Sequence, residues 1–150
     1  FKMALKNTLQ YLDEIFKQTD EAAYHLSISF ERCKAFIENG EYSEVQLIEL
    51  EALTSRFARL SDLLIQKIFK TIDKLDANTP GTVRDRILQA EKKGLIPDAG
   101  ILMEIRNVRN TIAHEYESID LRELFLFIFR HTSVLIEILN NSKKYAARFF

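Results

Sequence analysis

Between Ser43 and Asp76 the chain contains neither glycine nor proline, and its apolar residues recur at steps of three and four. Leu50, Leu53, Phe57, Leu60, Leu64, Phe69 and Ile72 track one side of a single long helix, predicted from Glu44 to about Leu75. At about 1.5 Å per residue it would be about 48 Å long, enough to form the spine of a bundle. A helix of that length needs other helices against its apolar side, which commits the chain to an all-helical architecture.

The rest of the sequence agrees. Glycine (4) and proline (2) are scarce, and both prolines fall between periodic segments. A first helix is predicted from Lys2 to Phe16, with Leu5, Leu9, Leu12 and Phe16 on one side. Thr19 reads as the N-cap of a second helix running to about Glu38, and Gly40 suits the left-handed position after it. Ser43 with Gln46 has the spacing of a capping box at the head of the long helix. Thr82 caps a short helix ending at Gly94, Asp98 caps the next, and Asp120 caps a last helix to about Leu139. From about 140 the chain reads as a short tail. The fold expected is an up-and-down antiparallel bundle of four to five main helices, one domain over 1–150, with no internal repeat.

Charge excludes one class of function. With 21 basic and 22 acidic residues the net charge is −1, unlike domains that coat nucleic acid by charge alone. A local basic patch remains compatible with this balance. Cys33 is the single cysteine, so neither an intramolecular disulfide nor a thiolate metal cluster can form, which fits the cytoplasm. No signal-peptide pattern is present, and the longest apolar run, Leu124 to Phe129, is six residues, far short of a membrane span. No glycine-rich phosphate loop, paired carboxylates or metal-ligand spacing stands out, so no metal or cofactor is expected.

One stretch carries chemistry: "RNVRNTIAHEY", residues 106 to 116. On a helix starting near Asp98, about 100° per residue puts Ile101, Ile105, Val108 and Ile112 on one core stripe. Arg109 falls on the shoulder of that stripe. Arg106, Asn110 and His114 fall away from it, together with Ala99 and Met103. A histidine on the outward side is not a core histidine. Arg109 and His114 lie about 140° apart, so one chain does not converge both on a single atom, whereas two copies meeting on a two-fold axis would bring two such pairs together. The apolar run in the last helix covers all its sides and could pack one of them on such a partner.

Guanidinium and imidazole suit metal-independent RNA cleavage. Imidazole serves as base for a 2′-OH and, protonated, as acid for the leaving 5′-oxygen. Arg109 offers a planar fork to phosphate oxygens, Asn110 a hydrogen bond to the imidazole or phosphate, and Arg106 further phosphate support. Each residue also has a plainer role open to it: Arg109 as a structural ion-pair partner, His114 as a surface imidazole, Tyr116 as a bundle-end residue, Arg106 as a solvated or dimer-contact side chain.

"RNTIAHEY" resembles the R-X4-H-X-Y signature of the HEPN superfamily, and within it the HepT-like toxins, long labelled nucleotidyltransferase substrate-binding proteins. The resemblance is sharp from Arg109 to Tyr116 and extends over most of the chain at the level of helices. It implies a helical homodimer and a metal-independent ribonuclease toxin with its RNA site at the dimer interface. It places the catalytic pair at Arg109 and His114, with Asn110 as the polar residue after the arginine. It implies a partner as well, a nucleotidyltransferase antitoxin able to adenylylate Tyr116. The alternative is a non-catalytic helical module that docks a nucleotidyltransferase and presents a nucleotide or Tyr116 to it.

Overall fold

The computed structural model describes residues 1–115 and 120–150, including every side chain among them except those of 113–115. The described residues are helical with no strand. We label the helices α1 (Lys2–Cys33), α2 (Glu44–Asp62), α3 (Phe69–Leu75), α4 (Val83–Lys92), α5 (Ala99–Glu115) and α6 (Leu121–Ala146). One π turn, Leu63–Ile68, joins α2 to α3, making the single rod expected over this segment.

That π turn has a sequence cause. The apolar steps along the rod are three or four until Leu64, and the next core residue, Phe69, comes five later. A regular helix would rotate Phe69 off the buried side. Widening one turn to an i→i+5 bond absorbs the extra residue. The bond is present, Phe69 N–H donating to the Leu64 carbonyl. Leu50, Leu53, Phe57, Leu60, Leu64, Phe69 and Ile72 are consequently all buried.

Contacts across the bundle fix its directions. Arg56 reaches the His25 carbonyl and the Ser29 hydroxyl, while Arg32 pairs with Glu49, so α1 and α2 run antiparallel. Met103 meets Arg84 and Ala99 meets Glu91, so α5 runs antiparallel to α4 and, with α4 parallel to the rod, to α2 as well, where Arg109 meets Asp62. Phe129 stacks on Phe30 and Lys143 pairs with Asp20, which sets α6 antiparallel to α1. The long helices therefore alternate in direction as expected. Helix α4 departs from the rule: Arg86 meets Gln66 and Lys93 meets Asp73, so it runs parallel to α3 after the chain doubles back through Asn78–Gly81.

The caps at Ser43 and Thr82 are both reciprocal capping boxes, with Gln46 and Asp85, and Asp120 accepts from Arg122 and Glu123 N–H. Gly40 takes the left-handed conformation, φ 82°.

Two expectations are corrected. The break near Thr19 does not occur, and α1 is one helix of 32 residues. Thr19 is buried in its middle, its hydroxyl donating to the Ile15 carbonyl at 2.6 Å. With no glycine or proline nearby, a hydroxyl satisfied within the helix gives the chain no reason to stop. The last helix runs past Leu139 to Ala146, because Ser142 and Ala146 continue its buried stripe and Lys143 holds Asp20 at 2.8 Å. The six-residue apolar run of α6 is buried on one side and only half-buried at Phe127 and Phe129. Four are buried, Phe129 stacks on Phe30 at 4.3 Å and Phe127 on His131 at 4.0 Å.

Two small polar groups sit in this core. Cys33 is fully buried, and burial, with Glu49 nearby, pushes its thiol up to about 11. Ser61 is buried with its hydroxyl unpartnered among the described residues. An unsatisfied buried hydroxyl costs roughly 1–3 kcal/mol, so Ser61→Ala is expected to stabilise by about 1 kcal/mol. For a chain of this size that is a rise in melting temperature of about 3 °C, readable by calorimetry. A lower melting temperature would mean that the hydroxyl has a partner.

Candidate functional site

Helix α5 is anchored first at its start. Asp98 accepts from the Gly100 N–H at 2.8 Å, as an N-cap should. Glu91, from the end of α4, accepts from the Ala99 N–H at 2.7 Å and so caps α5 from a neighbouring helix. Ala99 is buried by this junction, contrary to the outward position expected for it. Its place on the helical wheel was outward, but α4 covers the first turn of α5. Leu102 and Ile105 are buried, while Ile101, Val108 and Ile112 pack half-buried against the core. Met103 is also half-buried and lies near Arg84.

This packing fixes the rotation of α5 and puts Arg109 on the shoulder of the core. Its guanidinium meets Asp62, the last residue of α2. Nε lies 2.8 Å from Oδ1 and 3.0 Å from Oδ2, and Nη2 lies 2.9 Å from Oδ2. Three hydrogen bonds along one edge hold the planar group in a single orientation. Nη1 donates to no described residue. Side-chain exposure is 31% for Arg109 and 42% for Asp62, so solvent reaches the pair and its effect on stability is modest, about 1 kcal/mol.

Asp62 was missed in the sequence. The signal available was a lone carboxylate beside a run of buried residues, Leu60 to Ile65, that otherwise has no charge. Nothing local shows that its partner stands 47 residues away. The π turn begins at the next residue, so the clamp sits where the rod changes its winding.

Arg106 and Asn110, both half-buried, are four residues apart on α5 and share one side of it. The helix continues to Glu115, which keeps position 114 one turn beyond Asn110. The side chain of His114, and all of Tyr116, lie outside the described residues. The structure thus joins Arg109 to Asp62 and places Arg106 and Asn110 on the same helix.

The other histidines are engaged elsewhere. His131 contacts the Phe127 carbonyl through Nδ1 at 2.7 Å, and His25 faces Glu21 on the surface of α1. No cluster of potential metal ligands occurs among the described residues, and none of their helices is long and apolar enough to cross a membrane. No curated protein and no solved structure matches the chain. Residues 26–142 match the family model described as Ribonuclease HepT-like.

Proposed function

The chain belongs to the Ribonuclease HepT-like family, and we propose that it is a metal-independent endoribonuclease toxin, paired with a nucleotidyltransferase antitoxin, that cuts RNA with Arg109 and His114. The observation that carries this reading is the Arg109 guanidinium, clamped along one edge by Asp62 on a helix within the family match. A guanidinium fixed before substrate arrives needs no reorganisation to meet a phosphate.

In the proposed reaction an imidazole removes the proton of the ribose 2′-OH, and the 2′-oxygen attacks phosphorus. Arg109 stabilises the charge gathering on the phosphate oxygens. The bond from phosphorus to the 5′-oxygen breaks, and an imidazolium protonates the leaving oxygen. The products are a 2′,3′-cyclic phosphate and a 5′-OH end. Two His114, one from each subunit of a homodimer, divide the acid and base roles, and both α5 helices contribute to one cleft. Asn110 and Arg106 support the phosphate or the imidazole from the same side of α5.

Tyr116 is the residue on which the nucleotidyltransferase acts in this scheme. An AMP attached there would bring bulk and negative charge that compete with RNA. Expression of the chain is expected to arrest growth and degrade RNA. Co-expression of an adjacent nucleotidyltransferase is expected to relieve both and to add the mass of AMP, lost in Tyr116→Phe. If a purified dimer leaves RNA intact and the arrest never occurs, the non-catalytic docking role takes its place.

A further inference from the structure

The N-terminal part of α1, the α2–α3 rod, the loop after it and α4 enclose an open groove of about 1340 Å³. Lys67, Lys70, Lys74, Arg86 and Lys92 line it, with Tyr11 on its far wall. Five cations face two carboxylates, Asp73 and Asp85. Both acids are already engaged: Asp73 pairs with Lys93 and Asp85 closes the Thr82 capping box. Arg86 is held by the Ile65 carbonyl and the Gln66 side chain. Lys67, Lys70, Lys74 and Lys92 form no ion pair among the described residues. In a chain of net charge −1, four unneutralised lysines on one groove form a local positive field that no core requirement explains.

The groove also leads somewhere. Gln66, on its lining, lies four residues past Asp62, about 6 Å along the rod from the carboxylate that clamps Arg109. Lys67, Lys70 and Lys74 follow at helical spacing along the same rod. The volume exceeds the roughly 300–1,000 Å³ of a small-molecule site, which favours a polymer. Tyr11, 44% exposed, offers a ring on which a base can stack, and Asn7 and Gln89 on the lining offer amides to base edges.

We propose that this groove binds the phosphate backbone of a single RNA strand next to the scissile phosphate, steering it across Arg109. The choice of RNA among polyanions rests on the ribonuclease reading. The groove itself rests on the unpaired lysines and their path to Asp62.

The test uses the full-length His114→Ala protein, so that binding is read without cleavage. A fluorescently labelled single-stranded RNA of mixed sequence is titrated at several salt concentrations. Lys67→Ala, Lys70→Ala and Lys74→Ala are then introduced together, with the three Lys→Arg changes as a control that keeps the charge. All three lysines are exposed, and circular dichroism confirms the fold. At about 0.7 per phosphate contact on a single strand, losing three contacts should flatten the logarithmic salt dependence by about 2 and weaken binding about a hundredfold at 0.1 M salt. The arginine variant should bind as its parent does. Equal affinity with and without the lysines overturns the groove. So does lysine-dependent binding of polyglutamate with none of RNA, which would assign the surface to an acidic protein. Failure of the ribonuclease reading is distinguished separately, by intact RNA after incubation with the wild-type dimer.

Discussion

Replacing Arg109 with alanine is expected to slow RNA cleavage by about a thousandfold while lowering the melting temperature by only a few degrees. The first figure is the usual loss on removing a preorganised donor from a developing anion. The second follows from a pair open to solvent, 31% and 42% exposed, whose removal costs about 1 kcal/mol. Arg109→Lys should not rescue cleavage, because an ammonium cannot meet Asp62 along one edge and a phosphate along the other. Asp62→Asn leaves the guanidinium present but loosely aimed, and a loss of about ten- to a hundredfold is expected. Single-turnover cleavage of a labelled RNA, with calorimetry on the same samples, separates these outcomes. Full activity in Arg109→Ala combined with a large drop in stability would make the arginine a structural ion-pair partner and nothing more.

Replacing Lys93 with methionine should cost the most stability of any single polar change, about 3 kcal/mol. Lys93 is only 9% exposed, and its ammonium meets Asp73 and Asp76 as well as the Asn78 side-chain oxygen. Tyr145 from α6 donates to Asp76 in turn, and Arg148 stacks over the Tyr145 ring at 3.6 Å. Burial first, and Asp76 second, push the Tyr145 phenol above its ordinary value, so the hydroxyl stays a donor. The cluster ties the ends of α3, α4 and α6 together. Methionine keeps most of the volume but leaves two carboxylates facing each other, four-fifths buried, with no cation between them. A fall in melting temperature of about 10 °C is expected. Adding Asp73→Asn to Lys93→Met should recover part of it, and a variant melting within about 2 °C of the parent would show that the cluster is not a tie.

What the sequence disclosed and what it hid divide along physical lines. Local rules worked where the cause is local. The capping box at Ser43, the cap at Thr82 and the left-handed Gly40 are all present, because each is decided within a few residues. Periodicity found the buried side of the rod for the same reason. The N-cap rule failed at Thr19, a residue type common at helix starts, whose hydroxyl is satisfied inside the helix by the Ile15 carbonyl. Periodicity failed at Ala99, where burial comes from α4 and not from the helix's own pattern. At the candidate site the sequence disclosed Arg109 and its position on the shoulder of the core. Asp62 was hidden because an ion pair over 47 residues is a tertiary fact. The basic groove was hidden likewise: its lysines look like an ordinary solvated face until α1 and α4 close around them. A near-zero net charge conceals such a field, since it sums over surfaces that point different ways.

The central claim is that guanidinium and imidazole groups on α5 cut RNA without a metal. Its most direct test is the chemistry of the RNA ends left by the purified wild-type chain in excess chelator, beside His114→Ala. Fragments ending in a 2′,3′-cyclic phosphate and a 5′-OH, made by the wild type and missing with the variant, are the predicted result. Intact RNA in both, or the same fragments from both proteins, would contradict it.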